Sequence, residues 1–211
     1  MAEKLSILCF GNSLTAGYYN YGEHYHPYAE KLKEILQPVL PTTEITTDVA
    51  GLPGDLVCSP GSFVSRISEQ TIKKRYDWVI FLGGTNDIGY GKSSEDIYAG
   101  LKKSWMMALT SGAKVLALTI PECAAKFACI DKKRNEVNRL ILAHQEDGFF
   151  AFDLHAAIPY HSASKEFQNR IFDDGLHLTP SGYDLMGQVI GEYMAGLLRF
   201  SAPSASSCTA E

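Results

Sequence analysis

The chain has 211 residues, 45% of them hydrophobic and 20% charged, and 19 Lys+Arg against 24 Asp+Glu leave a formal charge of −5. That length suffices for one sizeable core without disulfides or metal, and the mildly acidic balance argues against a dedicated binder of nucleic acid or of anionic membranes. Mean hydropathy is −0.08, no apolar run reaches the roughly 18–20 residues of a membrane span, and five cysteines without CxxC spacing suggest neither a disulfide framework nor a zinc knuckle.

The first residues, MAEKLSILCFG, lack an apolar h-region ending in a small-residue cleavage site, so a reduced, cytoplasmic protein is the expectation. Leu5–Phe10 reads as the first strand, short, apolar and closed by Gly11. Pro27–Gln37 follows as a helix with Tyr28, Leu32, Ile35 and Leu36 on one face. Glu44–Ala50 is the second strand, Phe63–Lys74 a helix grouping Val64, Ile67 and Thr71, and Trp78–Leu82 the third strand. Ser93–Ser111, capped by Ser93 and stopped at Gly112, carries Ile97, Leu101, Trp105 and Leu109 at four-residue steps. Lys114–Ile120 is the fourth strand. Asp131 is the expected N-cap of a helix whose apolar stripe is Val137, Leu140, Ile141 and His144. Phe149–Leu154 is the fifth strand, and Thr179-Pro180 supplies an N-cap and a first-turn proline for a last helix through Met186, Val189, Ile190, Tyr193 and Leu197. Five strands alternating with helices predict an α/β fold in one domain over residues 1–200, a parallel sheet with helices on both faces. The remainder, SAPSASSCTAE (201–211), is small, polar and aperiodic and reads as a disordered tail.

In open α/β sheets the working crevice lies beyond the carboxyl ends of the strands. Four segments fall there: Gly11-Asn12-Ser13-Leu14, Gly51-Leu52-Pro53-Gly54-Asp55, Gly83-Gly84-Thr85-Asn86-Asp87 and, after a long loop, Asp174-Gly175-Leu176-His177. Together they offer a nucleophile candidate, an approachable backbone N–H, a side-chain amide and an acid–base pair. Acyl transfer needs those parts. A serine hydroxyl needs a histidine to take its proton, the histidine needs a carboxylate, and the oxyanion needs fixed donors. Asp174 and His177 are close enough in sequence for a tight turn to bring them into contact. The order Ser…Asp…His, with acid and base nearly adjacent, differs from chymotrypsin and subtilisin, and no GxSxG elbow is present.

The four segments resemble the blocks of the SGNH or GDSL hydrolases over residues 5–185. Gly11-Asn12-Ser13-Leu14 is similar to the GDSL block with Ser13 as nucleophile. Gly54 falls at the second block's oxyanion glycine, Gly84-Thr85-Asn86-Asp87 matches GxND, and Asp174-x-x-His177 matches DxxH. The resemblance implies a three-layer α/β/α sandwich of flavodoxin-like kind around a five-stranded parallel sheet. It implies hydrolysis of esters or thioesters of small molecules without metal or cofactor. It also implies an oxyanion hole of Ser13 N–H, Gly54 N–H and the Asn86 side chain, and a catalytic set of Ser13, Asp174 and His177. Asn12 departs from the family's aspartate, keeping an acceptor oxygen for the turn but not the charge.

Each residue also has a plainer reading. Ser13 can be a turn or cap residue, Gly54 a turn glycine, and Asn86-Asp87 an Asx-type turn, with Asp87 expected as a structural hydrogen-bonder. Asp173 competes with Asp174 as the acid, but the DxxH spacing favours Asp174. Asp153 is expected to be structural. His24 and His26 form an HxH pair without an evident third ligand, and His144 reads as a core or boundary residue. Gly91-Lys92-Ser93 lacks the earlier glycine of a phosphate-binding loop, where Asn86 stands. Tyr18, Tyr19, Tyr21, Tyr25 and Tyr28 form either a packed cover on the sheet edge or an aromatic wall for substrate, and the loop 121–130 with Phe127 is the opposite rim. The expectation is a serine esterase for short or medium acyl chains, with neutral esters favoured because no cationic patch is evident. Alternatives are an acyltransferase at the same site, a specialised acetylesterase, lysophospholipase or thioesterase, or a binding protein with a degenerate site. Oligomeric state is not legible.

Overall fold

The computed structural model describes residues 3–201. Beyond Ser201, the expected tail lies outside the described residues. Strand β1 (Lys4–Gly11) runs into the one-turn helix α1 (Ser13–Ala16) and a two-rung antiparallel ribbon, β2 (Tyr18–Tyr19) and β3 (His24–Tyr25). Helix α2 (Tyr28–Leu36) leads to β4 (Glu44–Gly51), α3 (Phe63–Lys73) to β5 (Trp78–Leu82), and the short α4 (Thr85–Gly89) and long α5 (Ser94–Thr110) to β6 (Lys114–Leu118). Then come α6 (Ala128–Ala143), β7 (Phe149–Phe152), α7 (Leu154–Ala157), α8 (Lys165–Ile171) and α9 (Pro180–Ser201). The large sheet is parallel throughout, in the order β4-β1-β5-β6-β7.

That order follows from which strands are apolar on both faces. In β1, Leu5, Ile7 and Cys9 point to one side and Leu8 and Phe10 to the other, as a two-residue period requires. β5 divides likewise, Trp78, Ile80 and Leu82 against Val79 and Phe81, so both strands sit inside the sheet. On the first face pack Tyr28 and Leu32 of α2 with Tyr183, Met186 and Ile190 of α9. The second face takes Phe63 and Ile67 of α3, Leu101 and Trp105 of α5 and Val137 and Ile141 of α6. Each such fully buried side chain stabilises by about 1.5–3 kcal/mol. The result is three layers, with every strand's carboxyl end opening on one edge. No helix among the described residues is long and apolar enough to cross a membrane.

Several expected boundaries move. β6 stops at Leu118 because Ile120 is drawn into a loop, its N–H donating to Asn138 Oδ1 at 2.7 Å and its carbonyl accepting from Asn138 Nδ2 at 2.9 Å. β7 stops at Phe152 because Asp153 caps α7, accepting from Ala156 N at 3.2 Å and from the Thr119 hydroxyl at 2.9 Å. Asp131 is not the cap of its helix. The cap lies four residues earlier at Phe127, whose carbonyl takes the first amides, and Asp131 pairs instead with Arg134 at 2.9 Å. His144 stands just past the end of α6. Its ring packs against Trp105 and Phe149, Nδ1 meets the Tyr98 hydroxyl at 2.9 Å, and burial lowers its pKa. Ser93 caps α5 as expected from sequence, accepting from Asp96 N at 3.0 Å.

Candidate active site

The end of β1 sets the position of Ser13. Asn12 accepts from Leu14 N through Oδ1 at 3.1 Å, while its carbonyl takes Thr15 N and Ala16 N at 3.1 and 3.0 Å. None of these bonds uses the Ser13 N–H, which stays at the N-terminus of α1 as one of the amides a helix start leaves unpaired. An amide oxygen serves this cap as a carboxylate does, so the departure from aspartate leaves the turn intact. Close approach of α1 to β4 requires Gly51, where an added Cβ would strike the Ala16 backbone.

Opposite Ser13 lies the loop between Phe172 and Leu178, which bridge each other. His177 Nε2 is 2.9 Å from Ser13 Oγ, and His177 Nδ1 is 2.7 Å from Asp174 Oδ2. Asp174 Oδ1 accepts from Leu176 N at 2.9 Å and His177 N at 2.7 Å, so one carboxylate both shapes the turn and holds the ring. Burial pushes the Asp174 carboxyl up, but these bonds outweigh it and hold its pKa below the usual carboxylate value. Asp173 does other work, accepting from Asn20 N at 2.8 Å and so tying the tyrosine-rich ribbon to this loop. The Tyr18 ring lies 4.5 Å from the His177 ring, and its carbonyl accepts from the Tyr183 hydroxyl at 2.6 Å.

The third and fourth parts stand beyond β4 and β5. Gly54 is exposed and left-handed at φ 77°, a conformation that requires glycine even though nothing crowds it. Asp55 N turns back on Leu52 O at 3.1 Å, a turn that leaves the Gly54 N–H out. Asn86 Nδ2 donates to Asp55 O at 2.9 Å. A side-chain amide has two N–H bonds, so one anchors Asn86 and one is left for a ligand. Beneath them, the buried Asp55 carboxylate accepts from Ser62 Oγ and Arg66 Nη1. Arg66 also donates to Gly11 O at 3.3 Å and Ala50 O at 2.5 Å, and lies over the Phe10 ring at 4.7 Å. Asp87, fully buried, accepts from Val57 N and Cys58 N, both at 2.9 Å.

Beside Asn86 opens a groove of about 310 Å³ walled by Ile88, Tyr90, Ile120, Pro121, Ile130 and Leu176, with Cys123 and Arg134 among its lining. Among the described residues, none of the five clustered tyrosines lines it. Tyr18 packs on His177, Tyr28 is core, and Tyr21 and Tyr25 are exposed. Phe127 is exposed as well, so the loop contributes Pro121, Cys123 and Ala125 in its place. His26 pairs with Asp184 at 2.8 Å and His24 stacks on Tyr19, and among the described residues no three His, Cys, Asp or Glu side chains are placed to hold a metal. Sequence reasoning had no signal for Arg66 or Arg134, both on helices of mixed polarity.

The family model for the GDSL-like lipase/acylhydrolase family matches residues 9–185. The chain belongs to that family. It is a hydrolase of ester bonds, and solved structures share its fold. A lipase/acylhydrolase from Enterococcus faecalis is 21% identical with a TM-score of 0.72, covering 92% of this chain and 96% of its own. A member of the lipolytic protein G-D-S-L family from Veillonella parvula DSM 2008 is 22% identical with a TM-score of 0.68, covering 94% and 100%. A carbohydrate esterase family 3 protein from Talaromyces cellulolyticus is 15% identical with a TM-score of 0.69, again covering 94% and 100%. Comparison with curated proteins gives no match.

Proposed function

We propose that this hydrolase is a serine esterase that cleaves carboxylic esters of short or medium acyl chain through an acyl-enzyme on Ser13. The observation that carries this reading is the unbroken relay Ser13 Oγ–His177 Nε2 at 2.9 Å and His177 Nδ1–Asp174 Oδ2 at 2.7 Å. His177 takes the hydroxyl proton as Oγ bonds to the substrate carbonyl carbon. The tetrahedral oxyanion rests on Ser13 N–H, Gly54 N–H and the second Asn86 N–H, donors fixed before the charge develops. Collapse expels the alcohol, which leaves with the proton from His177. A water then gives a proton to His177 as its oxygen bonds to the acyl carbon, and collapse breaks the acyl–Oγ bond, Oγ taking the proton back from His177 as the acid leaves. Asp174 stays ionised throughout, holding the tautomer and the imidazolium. The groove's volume, at the small end of ligand sites, supports short or medium acyl chains over long ones.

The test is Ser13→Ala with a chromogenic ester series, alongside labelling by a serine-reactive fluorophosphonate. Turnover and labelling should both vanish while the circular dichroism and melting curve stay those of the parent. Ester hydrolysis retained by the pure variant would overturn the assignment.

A further inference from the structure

Two arginines stand near this site, Arg66 partly and Arg134 almost wholly buried, and they are served very differently. Arg66 meets a carboxylate, two backbone carbonyls and an aromatic face. Arg134, with only 4% of its side chain exposed, has Asp131 Oδ1 at 2.9 Å from Nη1 and the Cys123 sulfur at 3.4 Å from Nη2. Sulfur is a weak acceptor, and a guanidinium carries five N–H bonds. Among the described residues nothing else accepts from Arg134. No Arg134 nitrogen is both buried and without a partner, so the N–H bonds that Asp131 and Cys123 leave over remain open to a further acceptor. Arg134 lines the groove that also contains Asn86.

Resting on the esterase reading above, we propose that Arg134 selects the substrate class: esters whose groove-bound chain ends in a carboxylate. The groove's apolar walls hold the methylene stem and keep water from the charged end, where low polarity strengthens the pairing. The incoming carboxylate takes the guanidinium N–H bonds that Asp131 and Cys123 leave over, while Asp131 keeps Nη1. A methyl-ended chain of the same length would lie against the guanidinium and offer it nothing. The chain's net negative charge hides this feature, since one enclosed cation sets the preference inside the groove.

The experiment compares p-nitrophenyl hexanoate with the mono-p-nitrophenyl ester of adipic acid, equal in length and leaving group and different in the terminal carboxylate. In the parent enzyme at low ionic strength, kcat/KM for the adipate half-ester should exceed that for the hexanoate by about tenfold or more, the size expected of a charged hydrogen bond. Arg134→Met should cut that ratio by about tenfold or more. Lys132→Met, which removes the same charge from a neighbouring position of α6, should change it less than about twofold. Should Arg134→Met fail to fold, the parent ratio decides, together with inhibition by free adipate, which must be tighter than by hexanoate. A parent ratio at or below one overturns the inference, as does a ratio that survives Arg134→Met. Hexanoate turnover without adipate preference removes this inference alone, whereas turnover of neither ester, or turnover by Ser13→Ala, removes the esterase reading and this with it.

Discussion

The two halves of the site are supported in opposite ways. Gly54 and Asn86 sit above a partly buried polar lattice in which Arg66, Asp55, Ser62 and Asp87 join the ends of β1 and β4 to the loops after β4 and β5. The proposed acid–base half is a turn of four residues with Asp174 at the surface, shaped by its own carboxylate and by the ribbon leaning on it. Precision on one side comes from tertiary bonds that the fold itself needs. On the other it comes from local bonds that the fold can do without. Damage to the first half should therefore cost stability and rate together, and damage to the second should cost rate alone.

The largest effect is expected where that separation is cleanest. Asp174→Asn keeps the shape of the turn but presents the wrong hydrogen-bonding partner to His177 Nδ1, and kcat should fall about 10⁴-fold. The melting temperature should stay near the parent's, and a drop of many degrees would erase the contrast between the halves. Next comes Arg66→Met, which leaves the buried Asp55 carboxylate without its cation. Breaking such a pair costs about 3–5 kcal/mol, to be read as a lower urea midpoint at unchanged slope. Activity should fall with it because the ends of β1 and β4 lose their common tether. A variant as stable as the parent would mean that the lattice is dispensable. Smaller again, Asn86→Ala should lower kcat by about 10²–10³-fold with little change in KM, as for the loss of one oxyanion donor. Single-turnover kinetics would check that the acylation step is the one slowed.

Much of this was open to reading because the chain advertises its strand ends. Short apolar or β-branched runs closed by glycine locate β1, β4 and β5, and the residues just after them are among those the structure gathers. Asp174 and Asp173 could be ranked only by spacing, and the structure separates them by partner, His177 for one and Asn20 for the other. What stayed hidden depends on contacts that no local pattern encodes. Arg66 reaches backbone carbonyls at Gly11 and Ala50 from α3, and Arg134 follows two other cations, Lys132 and Lys133, with no local pattern to set it apart. The ribbon of β2 and β3 has two residues per strand, too few for any period to register, and α8 is a seven-residue helix inside what reads as loop. Asp131 misled because a cap residue and a first-turn ion-pair residue share the same chemistry near a helix start.

The bond from His177 to Ser13 joins residues 164 positions apart. Synthesis proceeds from the N-terminus at about 5–20 residues per second, so Ser13 leaves the ribosome many seconds before the residue proposed to activate it. Until then its hydroxyl is an ordinary alcohol. On the proposed mechanism, a nascent or prematurely terminated chain lacking the Asp174–His177 turn would carry the nucleophile but no means to use it.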